Sequence, residues 1–285
     1  MDVENVMIIR NPGFEAGYNP IVNFNDLPWD DPKNPKINFG ILQLAPNQSY
    51  RIDDALEKAV LLMHGKVLLN WNNKNDNKET EAEISRDSIW DKNPWCLHVD
   101  KNTSIEIKAD QLGAELAIVT TKNEQELPAK LYTPEECESE ERGKGTMRET
   151  STRIVRTIFD DSNEPLANLV LGEVINFPGK WSSYPPHKHE MPEIYHYRFL
   201  PEQGFGFSML GDDAVQIHDG DTVGIFNEWH SQTSAPGYAM YYIWPIRHLK
   251  DKRYGKSSDT PVFDPQHLWV TNEENESKIF PEKEE

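Results

Sequence analysis

Two histidines and a glutamate in the second half of the chain have the types and spacing of metal ligands. His187 and His189 are separated by one residue, so on a β-strand both side chains point to the same side. Glu193 follows at the start of the next strand-like segment, and His230 follows a turn-rich stretch that can return to the same wall. Three imidazoles and a carboxylate can hold a divalent metal ion and leave positions open for substrate or water. The sequence therefore predicts a catalytic metal site at His187, His189, Glu193 and His230.

The histidines are distributed unevenly between the two halves of the chain. Of the nine in the chain, only His64 and His98 lie in the first half, and neither has a His-x-His partner. We therefore expect the imidazole chemistry in the second half and no metal ion in the first.

The segments around these residues have the pattern of short strands. Thr103–Ala109 alternates apolar and polar side chains, and Leu169–Ile175 is a run rich in β-branched residues, bounded by turn signals. Both halves show this texture and almost no long amphipathic helix. The pattern predicts an all-β protein built from two copies of one β-barrel unit.

A shift in composition marks the boundary between the halves. Pro, Glu, Lys, Arg and Gly dominate from about Thr121 to Arg153. We interpret 1–125 as the first barrel and 126–153 as an exposed linker. The second, metal-binding barrel is then 154–272, and 273–285 is a charged tail.

The charge balance argues against some classes of binding partner. There are 29 Lys and Arg against 48 Asp and Glu in 285 residues, a net charge of −19, which disfavours nucleic acids and anionic membrane surfaces as partners. An anionic substrate would need a locally positive site such as a metal ion. No apolar run is long enough to span a bilayer, and two distant cysteines make no disulfide framework. The first residues lack the basic and apolar regions typical of a signal peptide, so we expect none. We expect a cytoplasmic protein.

The second half also resembles a known family. The string Trp181-Ser-Ser-Tyr-Pro-Pro-His-Lys-His189, then Glu193, and Gly220-Asp followed by His230 resemble the two metal motifs of the cupin barrels. More closely, they resemble the 5-deoxy-glucuronate isomerases of myo-inositol catabolism, which are related to the 5-keto-4-deoxyuronate isomerases of pectin breakdown. The likeness is strong over 154–270. It implies two cupin barrels, each a double-stranded β-helix or jelly roll, of which the first binds no metal.

The resemblance implies an aldose–ketose isomerase that converts 5-deoxy-D-glucuronate to 5-dehydro-2-deoxy-D-gluconate. It implies one divalent metal ion, for which we expect zinc before manganese, iron or nickel. A homo-oligomer is also expected. The carboxylates near the motif, Glu190 and Glu193, are the candidates for the catalytic base. The candidates for binding the sugar acid are Tyr195, Tyr197, Gln203 and Arg247.

Three other functions fit the same motifs. One is the isomerisation of another uronate, such as 5-keto-4-deoxyuronate. A second is a non-catalytic sugar-binding bicupin, which would be expected to have lost a ligand, whereas all four are present here. A third is a metal-dependent dioxygenase. Phe226 and Glu228 stand where the family motif has Pro and Gly, so the substrate is less well defined by sequence than the metal site.

Overall fold

The alternating and β-branched segments of the sequence form β-strands along nearly the whole chain. The computed structural model describes residues 6–11, 13–74, 78–255, 260–275 and 278. Short 3-10 helices occur at Met147–Glu149, Leu268–Thr271 and Glu273–Asn275. The strands of these residues are β1 (Ile8–Ile9), β2 (Gly17–Val22), β3 (Asn38–Leu44), β4 (Ser49–Ile52), β5 (Glu57–Asn73), β6 (Lys78–Arg86), β7 (Cys96–Val99), β8 (Thr103–Thr121), β9 (Lys130–Tyr132), β10 (Glu138–Arg142), β11 (Arg153–Phe159), β12 (Leu169–Asn176), β13 (Trp181–Lys188), β14 (Glu193–Leu200), β15 (Phe205–Leu210), β16 (Asp213–His218), β17 (Thr222–Ile225), β18 (His230–Ser234), β19 (Ala239–Ile243), β20 (Ile246–Arg247) and β21 (Val262–Phe263).

The first barrel is organised around its two longest strands. β5 and β8 pair antiparallel along most of their length, with shifts in register near Leu62 and Gly65 that let both strands bend. β3 and β4 pair with β8, while β6 and β7 pair with β5. Alternate side chains, such as Ile105 and Ile107, point into a buried apolar core, as their spacing in the sequence predicts.

The second barrel is a sandwich of two antiparallel sheets. One sheet has the order β1-β17-β14-β19-β12-β11-β10, with β20 joined to β12 and β14. The other has the order β16-β15-β18-β13-β21. The buried faces pack against each other around a core that includes Tyr195, Tyr197 and Tyr242.

The barrel boundaries differ from those predicted by composition. Ile8 and Ile9 pair with Val223 and Thr222, so the first strand belongs to the second barrel. The segment 126–153, predicted as an exposed linker, contains two paired strands: β9 pairs with β7 of the first barrel, and β10 pairs with β11 of the second. All five residues of β10 are exposed, because it is a charged edge strand, which explains why its composition resembles a linker. Most of the predicted charged tail, 273–285, lies outside the described residues.

A continuous apolar core and two buried carboxylates join the barrels. Phe39 and Leu61 of the first barrel lie in one cluster with Leu169 and Tyr241 of the second. Buried carboxylates also cross the boundary in both directions. The Glu57 carboxylate of the first barrel accepts hydrogen bonds from the backbone N–H groups of 168 and 169.

Glu173 makes the reciprocal connection from the second barrel. Its carboxylate accepts hydrogen bonds from Arg86 of the first barrel, at 3.1 Å for one pair of atoms, and from Arg156 at 2.7 Å. The Tyr241 hydroxyl donates to it as well, at 2.7 Å. Glu173 and Arg86 are both fully buried, and the guanidinium groups hold the pKa of the Glu173 carboxyl below its usual value despite burial.

Among the described residues, no helix is long and apolar enough to cross a membrane.

Candidate metal centre and active-site cavity

Three strands of the second barrel bring the predicted ligands together between its two sheets. β13 and β18 pair in one sheet, with His187 directly opposite His230. Glu193 begins β14, which belongs to the facing sheet. His189 lies just after β13, in the short connection to β14. The His-x-His spacing and the strand start at Glu193 therefore place the side chains of both sheets at one point inside the barrel.

His189, Glu193 and His230 form a compact and buried cluster. Their ligand atoms all lie within 4.8 Å of one another. The Glu193 Oε2 atom is 3.1 Å from His189 Nε2 and 3.6 Å from His230 Nε2. All three residues are at most 3% exposed. Two nitrogens and one oxygen at these separations match the donor set of a divalent transition-metal ion.

Backbone contacts orient both imidazoles of this cluster. His189 Nδ1 lies 2.8 Å from the carbonyl oxygen of Met191, and His230 Nδ1 lies 3.2 Å from that of Glu228. A carbonyl oxygen only accepts, so in each ring Nδ1 carries the proton and Nε2 presents a lone pair to the cluster. His230 Nε2 is buried and has no hydrogen-bond partner among the described residues. A buried nitrogen left open in this way fits a metal ligand.

His187 lies beside the three-residue cluster. Its ring packs edge-on against that of His230, with the ring centroids 4.4 Å apart, and it lines the same cavity as Glu193. The structure thus brings the four predicted ligands to one place, and three of them already have ligand atoms in mutual reach. Their role in binding metal stays a prediction.

Burial sets the charge state of these groups. Desolvation, reinforced by the positive field of nearby groups, lowers the pKa of His187 to about 3 and that of His230 well below its ordinary value. Both rings are therefore neutral at pH 7, which is the form that ligates a metal. Desolvation raises the pKa of Glu193, an effect that a hydrogen bond from Tyr195 partly opposes. A cation at this position would favour the Glu193 carboxylate.

A cavity of about 210 Å³ opens onto the cluster. Tyr195 lines it, and the Tyr195 hydroxyl lies 3.3 Å from Ser183 Oγ. Burial raises the pKa values of Tyr195 and Tyr242 above their ordinary value, so both phenols stay protonated and can donate hydrogen bonds. The described residues that line the cavity are Arg142, Arg153, Val155, Thr157, Asp160, Val174, Ser183, His187, Glu193, Tyr195, Tyr242, Trp244, Tyr254, Gly255, Thr260 and Pro261.

Four residues that the sequence predicts at the site lie elsewhere: Tyr197, Glu190, Gln203 and Arg247. Tyr197 shares the strand parity of Tyr195, but it is fully buried in the core and donates its hydroxyl to Gln232 at 3.3 Å. Glu190 points to solvent and pairs with Lys252. Gln203 is exposed in the turn after β14 and lines a different cavity.

Arg247 lies on the opposite face of its sheet from the cluster. Its neighbour Ile246 is paired with Glu193, and adjacent strand residues point to opposite faces. The Arg247 guanidinium sits over the Trp29 ring, 5.4 Å from its centroid, and donates to the carbonyl of Lys122. It lines a separate cavity of about 710 Å³ between the barrels. Arg247 is thus not brought to the candidate site.

Sequence reasoning missed the contribution of the β10–β11 hairpin. Arg142 and Arg153 are cross-strand partners, and both line the cavity. Arg153, Val155 and Thr157 alternate along β11 and all face the cavity, so strand parity could have identified Arg153. The composition of 126–153 predicts a linker, and both arginines lie within it.

The two departures from the family motif form a turn. The backbone N–H of Phe226 donates to the Glu228 carboxylate at 2.9 Å. That carboxylate is therefore engaged in the turn before His230, and Glu228 acts on the site through its backbone carbonyl, which orients His230.

Comparisons with known proteins agree with this arrangement. The model of the KduI/IolB family matches residues 11–270 and confirms the resemblance inferred from the motifs. The 5-deoxy-glucuronate isomerase of Halalkalibacterium halodurans is 28% identical over 283 residues, covering 92% of this chain and 98% of that protein. The enzyme of the same name from Bacillus subtilis is 27% identical over 285 residues, with the same coverage of each chain.

Solved structures support the fold. An IolB-like protein from Salmonella typhimurium matches with a TM-score of 0.76 and 24% identity, covering 93% of this chain and 99% of that one. An oxalate decarboxylase from Lactobacillus farciminis matches with a TM-score of 0.61 and 9% identity, covering 90% and 88%. These likenesses confirm the predicted all-β fold of two cupin barrels.

Proposed function

Because this chain belongs to the KduI/IolB family, we propose that it is an aldose–ketose isomerase that converts 5-deoxy-D-glucuronate to 5-dehydro-2-deoxy-D-gluconate in myo-inositol catabolism. The names of its curated relatives favour this substrate over 5-keto-4-deoxyuronate. The observation that carries the proposal is the convergence of His189, Glu193 and His230 in the second barrel, beside a cavity that Glu193 lines.

The proposed cofactor is one divalent metal ion held by His189, Glu193 and His230, with His187 as the predicted fourth ligand. Two oriented Nε2 lone pairs and a carboxylate fit zinc, and also manganese, iron or nickel. When bound, the ion would supply Lewis-acid polarisation of the substrate carbonyl.

The side chains of the cavity would provide the other requirements of the reaction. Aldose–ketose isomerisation moves a proton between the carbonyl carbon and its neighbour. Of the two predicted carboxylates, Glu193 faces the cavity and Glu190 does not, so Glu190 is excluded as the base and Glu193 could serve as one only through the carboxylate oxygen that does not bind the metal ion. The protonated hydroxyls of Tyr195 and Tyr242 would donate hydrogen bonds that hold the sugar oxygens.

Replacement of His230 by alanine tests the metal site and the reaction together. We expect His230→Ala to fold, because the apolar core of the barrel does not depend on one imidazole, but to purify with little metal. Isomerase activity should fall by at least about 100-fold. Elemental analysis, circular dichroism and assays with both uronates measure these outcomes.

The matched control is His64→Ala, which removes an exposed histidine of the first barrel. It should leave metal content and turnover unchanged. Full metal occupancy and full turnover in His230→Ala would contradict the proposed site. Turnover of 5-keto-4-deoxyuronate alone by the wild-type protein would contradict the proposed substrate.

A further inference from the structure

Arg153 is a buried arginine that, unlike Arg86 and Arg156, forms no ion pair with a carboxylate of the described residues. Arg86 and Arg156 share the Glu173 carboxylate. Arg153 is only 6% exposed, yet it makes no ion pair with any carboxylate of the described residues. Its hydrogen bonds go to the carbonyl and hydroxyl oxygens of Ser151, at 2.8 and 2.9 Å, which carry no charge.

A buried guanidinium without a counter-ion is costly, because burial removes its hydration and nothing compensates the charge. Burial accordingly lowers the pKa of Arg153. The two carboxylates that line the same cavity are engaged elsewhere: Asp160 accepts hydrogen bonds from Ser162, and Glu193 lies against His189. The charge of Arg153 is therefore left available to a ligand.

The position of Arg153 relative to the cluster suits a bifunctional ligand. Arg153 starts β11, and its side chain lines the cavity that also contains His187, Glu193 and Tyr195. Arg142, its cross-strand partner, is half exposed and paired with Glu140, and it adds a second positive group to the cavity lining.

A uronate has the two features that this cavity can recognise. It carries a carbonyl and hydroxyl groups at one end and a carboxylate at the other. A planar guanidinium binds a carboxylate through two parallel hydrogen bonds, which gives both charge and geometric selectivity. We propose that Arg153 binds the carboxylate of the sugar acid and thereby selects uronates over neutral sugars, an inference that rests on the proposed isomerase function.

The test compares D-glucuronate with D-glucuronamide, which has the same shape without the charge, as competitive inhibitors and in equilibrium binding. The wild-type protein should bind glucuronate about 10- to 100-fold more tightly than the amide. Arg153→Met should reduce this ratio to near one. Arg153→Lys should restore part of it, because the charge remains and the planar fork is lost.

Thermal stability separates a binding role from a structural one. Removing an unpaired buried charge should leave the melting temperature of the ligand-free protein unchanged or raise it. A stabilising arginine would lower it. The control is Arg198→Met, which removes a charge that pairs with Glu115 on the opposite face of β14 and should leave the ratio intact.

Three results would overturn the inference. They are an equal affinity of the wild-type protein for the two inhibitors, a preserved ratio in Arg153→Met, and a ratio that is lost in Arg247→Met instead. Failure of the isomerase proposal is distinguishable: the wild-type protein would then not turn over the uronate, whatever the inhibitor ratio.

Discussion

His196 shows at the residue scale how a buried imidazole couples folding to pH. It is fully buried, with its ring 5.1 Å from that of Phe39 in the first barrel and its Nδ1 atom 2.9 Å from Thr222 Oγ1. Desolvation holds its pKa well below the ordinary value, with a smaller contribution from Arg198. It is thus neutral in the folded state and protonates near pH 6.5 when unfolded.

The unfolded state therefore binds one more proton than the folded state below about pH 6.5, and stability falls as the pH falls. The loss of unfolding free energy caused by this histidine should approach about 1.4 kcal/mol per pH unit as the pH falls from 6.5 to 5. We expect His196→Gln to lower that slope by this amount, as measured by urea unfolding of the metal-free protein at several pH values. Identical slopes in the two proteins would show that His196 is not a neutral buried group.

Strand alternation indicates which face of a sheet a side chain takes, and it indicates nothing where a strand stops. His187 and Tyr195 face the cavity, as parity requires. Glu190 lies in the connection between β13 and β14, where alternation gives no direction. Tyr197 has the predicted parity but lies in the closed core of the barrel. Parity specifies the face of the sheet to which a side chain points, and it does not specify whether that part of the face lines a cavity.

At the scale of elements, β1 closes the edge of its sheet by pairing with β17, a strand that lies more than two hundred positions later in the chain. Ile8 and Ile9 pair with β17, the Met7 carbonyl accepts the N–H of Gly224, and Arg10 pairs with Asp221. The first residues thus cover backbone groups that would otherwise form an open edge.

A protein lacking residues 1–11 should lose about 2–4 kcal/mol of unfolding free energy, because ladder hydrogen bonds and apolar contacts are both removed. It should also associate through the exposed edge of β17. Chemical denaturation and light scattering measure the two effects. Arg10→Ala, which leaves the β1 backbone in place and removes a half-exposed guanidinium with its contacts to Asp221 and to the Gln216 carbonyl, should cost less than about 1 kcal/mol. Unchanged stability after truncation would mean that β1 contributes nothing to the barrel.

At the scale of the whole molecule, buried carboxylates make the barrels one cooperative unit. Glu173→Gln would leave the Arg86 and Arg156 guanidinium groups buried without a counter-ion. We expect a loss of about 3–5 kcal/mol in the free energy of unfolding, with a single transition retained. Glu83→Gln, in a pair with Lys66 whose members are both exposed, should cost less than about 0.5 kcal/mol. Equal effects of the two substitutions would contradict the role of Glu173.

The sequence was sufficient to predict the all-β architecture, but not the contacts that join the two barrels. Alternation along Thr103–Ala109 and the runs of the second half were enough for an all-β fold with two barrels. The Arg86–Glu173 contact could not be predicted, because its members are 87 positions apart and neither belongs to a local pattern. For the same reason, the charged β10 strand was indistinguishable from a linker until its pairing with β11 was known.

The pairing of β1 with β17 also bears on how the chain is synthesised. Ile9 leaves the ribosome roughly two hundred residues before its partner Thr222. At translation rates of about 5–20 residues per second, it waits on the order of 10–40 seconds while the first barrel emerges complete behind it. During that interval β1 lacks the strand with which it pairs. β1 can pair only after the second barrel has been made, so a strand that is translated before the whole of the first barrel is among the last to be folded.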